Sequence, residues 1–151
     1  MAFPSGDHKE TGGIAAYRVS KTAAFTAGAG TGDVGTFALF TVTGSVVVRI
    51  IAEVTETVVE GVGGGTIEVG ITGATALIIA QAVATTLDVD EIWHDATPDS
   101  DIEAFSVMSD SVIVGGANIF ATIAGQNITD GTVIFYCFWT PLGSTGNVVA
   151  A

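Results

Sequence analysis

Ser45-Val46-Val47-Val48-Arg49-Ile50-Ile51-Ala52-Glu53-Val54-Thr55-Glu56-Thr57-Val58-Val59-Glu60 decides the fold. Its even positions carry Val46, Val48, Ile50, Ala52 and Val54, then Glu56 and Val58. Its odd positions carry Ser45, Val47, Arg49, Ile51, Glu53, Thr55 and Thr57. One face is apolar and the other mixed, the period-2 pattern of a half-buried strand. A helix needs apolar residues at spacings of three and four, and β-branched side chains are poor helix formers.

Outward from this strand, Gly61-Val62-Gly63-Gly64-Gly65 reads as a turn. Thr66 to Thr72 follows, with Ile67, Val69 and Ile71 on one face and Thr66, Glu68 and Gly70 on the other. The two runs together read as a β-hairpin. Thr36 to Thr43, Ala76 to Gln81, Ile102 to Val107, Ser111 to Val114 and Asn118 to Ala124 are further expected strands. Ala74 to Thr86 has alanines that favour a helix, but interspersed threonine and β-branched residues favour a strand. Thr132 to Thr140 places Val133, Phe135, Cys137 and Trp139 on a wholly apolar face, so it is expected to be central. Pro141 and Gly143 end it, leaving 141–151 as a tail.

Residues 1–33 read as an extended arm, rich in small residues and ending in Thr26-Ala27-Gly28-Ala29-Gly30-Thr31-Gly32-Asp33. A short strand is expected within it at Ile14 to Ser20. Many short strands, Gly-rich turns and no heptads predict an all-β protein. The expected architecture is an antiparallel β-sandwich or jelly-roll-like barrel, with its body at 34–140 and an N-terminal arm.

Composition narrows the role. Of 151 residues, 48% are hydrophobic and 13% charged, whereas soluble domains average about 25% charged. Such a chain either spans a membrane or hides surface against other subunits. A spanning helix needs about 20 apolar residues in a row; runs such as Ala76-Leu77-Ile78-Ile79-Ala80 are far shorter. The strands are too few and irregular for a membrane barrel. Met1 to Glu10 is polar, so synthesis and folding in the cytoplasm are expected. The net charge is −12, and the four basic residues, Lys9, Arg18, Lys21 and Arg49, lie in the first third. From Ile50 onward there are thirteen acids and no Lys or Arg. That balance repels nucleic acid and anionic lipid. The basic segment can instead dock on an acidic protein surface; Tyr17, Arg18, Lys21 and Phe25 are its candidate contact residues.

Candidate chemistry lacks essential partners. Gly28-Ala29-Gly30-Thr31-Gly32 has no Lys-Ser/Thr to follow it, and Asp33 occupies a position where a dinucleotide loop needs glycine. His8 lies in the arm, and His94 has no nucleophile elbow to serve. Cys137, the single cysteine, sits between Tyr136 and Phe138 and reads as a core thiol. Asn127-Ile128-Thr129 reads as a turn. A glycosidase pair needs a cleft lined with aromatics, and Trp93 is the sole aromatic between Phe40 and Phe105. The acidic segment keeps an alternative. Asp88, Asp90, Glu91, Asp95, Asp99, Asp101 and Glu103 lie close in sequence to His94. Asp88, Asp90, Asp95, Asp99 and Asp101 are candidate cation ligands, because hard cations take six to eight oxygens. The rival reading is a solvated acidic loop.

Three stretches carry a family resemblance: Gly32-Asp33-Val34-Gly35-Thr36-Phe37-Ala38-Leu39-Phe40-Thr41-Val42-Thr43-Gly44, Glu91-Ile92-Trp93-His94-Asp95-Ala96-Thr97-Pro98, and Phe138-Trp139-Thr140-Pro141-Leu142-Gly143-Ser144. With these the chain resembles small virion structural proteins of tailed bacteriophages, in particular head decoration or cement proteins. The resemblance implies a β-sandwich or barrel with an arm, trimeric or dimeric, on the capsid exterior. Its partner there is the major capsid protein, whose contacts it stabilises, with no catalytic residue and no cofactor. Two rivals stand beside it: a tail, spike, fibre or coat component, and a secreted carbohydrate- or calcium-binding adhesion module.

Overall fold

The computed structural model describes residues 17–28, 31–100 and 102–151. They form eleven strands: β1 (Tyr17–Ala24), β2 (Gly35–Thr43), β3 (Val46–Glu60), β4 (Thr66–Ile71), β5 (Ala74–Val83), β6 (Glu91–Trp93), β7 (Asp99–Ser100), β8 (Ser111–Ile113), β9 (Ile119–Ala124), β10 (Ile128–Pro141) and β11 (Asn147–Ala150). Every pairing is antiparallel. One sheet runs β1-β10-β3-β6-β7, with β8 also on β3. The other runs β11-β2-β9-β4-β5. The two sheets pack face to face as a β-sandwich.

The alternation read from the sequence is the alternation that buries the core. Val46, Val48, Ile50, Ala52, Val54 and Val58 of β3 are buried. So are Val133, Phe135, Cys137 and Trp139 of β10, which lies between β1 and β3. From the opposite sheet come Leu39, Phe40, Ile67, Val69, Ile79, Ile119 and Ile123. Trp93 closes the core edge-on to Phe135, with centroids 6.1 Å apart. A cluster of this size, close-packed, supplies the apolar burial that drives folding.

Four sequence expectations change. First, β3 and β4 are not a hairpin; they lie in different sheets. The Glu60 carboxylate accepts the backbone N–H groups of Gly64 and Gly65, turning the chain across the sandwich. Second, Ile102 to Val107 is not a strand. Residues 105–107 form a 3-10 turn in which Val107 N–H donates to Ala104 and Met108 N–H to Phe105. Ile102, Phe105 and Val107 are exposed, so no buried face anchors an extended run there. Third, the arm yields residues 17–24 to the sheet, where β1 pairs with β10 from Tyr17↔Trp139 to Ala24↔Thr132. The glycine run thus begins beyond a strand already in the sandwich; residues 1–16 lie outside the described residues. Fourth, the tail is built in: β11 pairs with β2 from Asn147↔Thr43 to Ala150↔Phe40. β6 and β7 form a small hairpin that was not anticipated.

Candidate functional site

The acidic segment runs from the end of β5 to β8 along the side of β3 away from β10. Its first part is held to β3 by backbone. Val58 N–H donates to Leu87, Val89 N–H to the Thr57 hydroxyl, and Asp90 N–H to Val54. Asp90 adopts a left-handed φ of 69°, a conformation aspartate tolerates in turns. The Glu91 carboxylate accepts the N–H of Asp88 across that turn. Asp90 and Glu91 also line an open groove of about 340 Å³ with Ile51, Glu53, Ile92 and Tyr136.

The β6–β7 hairpin then brings His94 and Asp99 together. Ile92 pairs with Asp99, which makes residue 94 a diagonal neighbour of Asp99. The intervening turn is tightened by Asp95, whose carboxylate accepts the Thr97 N–H at 2.7 Å. The chain after β7 returns Glu103 to the same place. His94 Nε2 lies 3.6 Å from Asp99 Oδ2 and 3.8 Å from Glu103 Oε2. The imidazole is only 3% exposed, and its Nε2 has no hydrogen-bond partner. Partial burial, a hydrogen bond with Glu103 and the Glu103 and Asp95 charges raise the Asp99 pKa above 3.8, with His94 opposing.

Among the described residues, His94, Asp99 and Glu103 form the one group of three ligating side chains that converges, with its donor atoms within 4.8 Å of one another. Of the five candidate cation ligands, Asp99 joins this group and Asp95 stands beside it. Asp88 and Asp90 belong to the separate turn on β3, and Asp101 lies outside the described residues. His94 and Glu103 were noted in the sequence for proximity alone. Their convergence depends on the short hairpin, whose strands of three and two residues leave no periodic signal.

The four candidate contact residues separate equally clearly. Tyr17 stacks on Trp139. Arg18 lies over the Tyr136 ring, 5.7 Å from its centroid, and Lys21 Nζ donates to the backbone oxygen of Ala151. Phe25 is buried edge-on to Phe37, in the core and not on a contact surface. Arg49, the remaining described cation, pairs with Asp110 at 2.7 Å and lies over Phe105. Cys137 is buried in β10, and burial pushes its thiol pKa up to about 12.

No family model, curated protein or solved structure matches this chain.

Proposed function

We propose that the chain is a non-catalytic structural subunit that works by assembling with other protein subunits. The observation that carries this reading is β5. It is the edge of its sheet, ten residues long, Ala74-Thr75-Ala76-Leu77-Ile78-Ile79-Ala80-Gln81-Ala82-Val83, without a charge or a proline. Leu77 is 67% exposed. Edge strands offer unpaired backbone groups, and proteins that stay monomeric guard them with lysine, proline or bulges. β5 carries neither lysine nor proline, and its one such guard is a pairing with β4 that shifts register twice, between Ile67 and Val69 and between Val69 and Ile71.

Further exposed apolar side chains accompany it. Ile102, Val107, Val112 and Val114 are exposed within thirteen residues of chain. Exposed apolar patches mark interaction surfaces. A charge content of 13% fits a chain that hides surface in contacts. The burial of Cys137 and His94 also favours a non-catalytic role, since a nucleophile or base must reach its substrate.

The setting on a phage capsid rests on the family resemblance. In that setting the major capsid protein is the partner, and repeated weak contacts on a lattice add avidity. The test has two stages. Light scattering after size exclusion should give a mass that is a multiple of the chain, and Leu77→Lys should shift it toward one chain. Wild-type protein that stays monomeric up to high concentration counts against assembly through β5. Occupancy on expanded capsids then tests the partner. Deleting residues 2–16 and measuring capsid occupancy tests the arm as a tether while leaving β1 and the core residue Phe25 in place.

A further inference from the structure

We propose that His94, Asp99 and Glu103 bind a divalent cation of the zinc type. The distances separate this from an ordinary hydrogen-bonded cluster. At 3.6 and 3.8 Å, the contacts from Nε2 to the carboxylates are too long for hydrogen bonds. Metal bonds of about 2.0–2.2 Å at tetrahedral angles put ligand atoms roughly 3.4 Å apart. With all three donor atoms within 4.8 Å of one another, side-chain adjustment of about an ångström brings Nε2, Oδ2 and Oε2 onto one ion.

The state of His94 supplies the independent reason. A polar nitrogen removed from water without a partner is costly. This one is almost fully buried, and carboxylate oxygens of Asp99 and Glu103 lie within 4 Å of it without bonding to it. An ion between them satisfies the nitrogen and offsets the repulsion between the two carboxylates.

The ligand set also selects the ion. Calcium takes six to eight oxygens, and magnesium keeps several waters. An imidazole with two carboxylates suits zinc or a neighbouring transition metal. Three protein ligands leave the fourth tetrahedral position to water or to a donor from another subunit. The structural effect is local. The segment 94–110 has little regular structure of its own, and the ion ties Glu103 to the β6–β7 hairpin.

The experiment uses untagged full-length chain stripped with chelator. Zinc chloride is titrated in by calorimetry, with melting temperature followed in parallel. The expected result is one zinc per chain and a melting temperature that rises with zinc concentration. Calcium and magnesium chlorides should leave it nearly flat. Cobalt substitution should give visible d–d bands of a site with a nitrogen ligand. His94→Gln risks the fold because the site is buried, so Asp99→Asn with Glu103→Gln is the decisive variant. It should fold as wild type and lose the zinc response, while Asp88→Asn keeps it. Absence of zinc binding, retention by the double variant, or an equal response to calcium overturns the assignment.

Discussion

Tyr17 of β1 stacks on Trp139 of β10, with ring centroids 4.7 Å apart and planes inclined by 23°. The two residues are register partners, so a segment that reads as a flexible arm is fastened to the most apolar strand of the sandwich. The Tyr17 hydroxyl, however, is buried without a hydrogen-bond partner. Two substitutions should therefore act in opposite directions. Tyr17→Ala removes the stacked pair and should destabilise the protein by about 1–3 kcal/mol. Tyr17→Phe keeps the ring, removes an unpaired polar group, and should be neutral or stabilising. Urea unfolding of both variants checks the pair of signs. Equal losses would show that the hydroxyl has a partner in solution.

Gly131 fixes the register of the two longest strands. Its φ is +110°, and an added Cβ would lie 2.7 Å from the Cα of Val58 on β3. The pairing of β10 with β3 shifts across it, between Asp130 and Thr132, and on either side, between Ile128 and Asp130 and between Thr132 and Val133. Gly131→Ala should cost roughly 2 kcal/mol or more, from strain at a positive φ and from the close backbone approach. Gly143→Ala, where nothing stands near the added carbon, should cost well under 1 kcal/mol as an ordinary surface change. Thermal unfolding of the two variants gives the comparison.

Much of this architecture was readable because strands with one buried face obey a period of two. Val46 to Val58 and Val133 to Trp139 announced their buried sides correctly. The pattern was silent on pairing. Ile67 and Val69 need an apolar surface, and a strand beside β3 or a sheet facing it satisfies that need equally. The choice came from the Glu60 carboxylate holding the amides of Gly64 and Gly65, a contact that no periodicity encodes. The same limit applies at the acidic end. Seven acids near His94 were visible, but nothing in their spacing favoured Glu103 over Asp88. That selection is made by Ile92 pairing with Asp99 and by the return of the chain after β7.

Arg49 and Asp110 form an unequal pair. The arginine side chain is 9% exposed and the aspartate 42%. Arg49 Nη1 is already without a partner, so Asp110 and the Phe105 ring are what compensate the buried charge. Removing the aspartate strands that charge, whereas removing the arginine leaves an acid that water can solvate. Asp110→Ala should therefore destabilise by about 1–3 kcal/mol. Arg49→Met, which keeps apolar volume in the buried position, should cost less. The double variant should resemble Arg49→Met alone. Chemical denaturation of the three proteins closes this cycle, and additive losses would show that the pair is not coupled.

Cys137 is expected to be unreactive while the protein is folded. The thiolate is the nucleophile, and a thiol held at about 12 is almost wholly protonated at pH 8. Its side chain also points into the core of β10, closed to reagents. Alkylation of native protein should stay near background, then follow the urea unfolding curve. Labelling that begins well before the global transition would mean that β10 opens locally, against its position between β1 and β3.

Tyr136 provides a pH-dependent term of known sign. Its hydroxyl donates to the Glu53 carboxylate at 2.8 Å. That hydrogen bond, partial burial and the Glu53 charge raise its pKa above 10.0, while the Arg18 guanidinium opposes them. The folded state thus holds the phenolic proton more tightly than the unfolded chain does. The resulting stabilisation is complete below pH 10 and is lost as pH rises through the folded-state value. In a Tyr17→Phe background, phenolate absorbance isolates Tyr136. Glu53→Gln should move its titration back toward 10.0, and Arg18→Gln should move it further up. Tyr136→Phe should remove this contribution to the alkaline loss of stability, leaving the curve near neutrality with only the small offset expected of one exposed hydrogen bond. If Glu53→Gln leaves the titration unchanged, Glu53 is not what holds the Tyr136 proton.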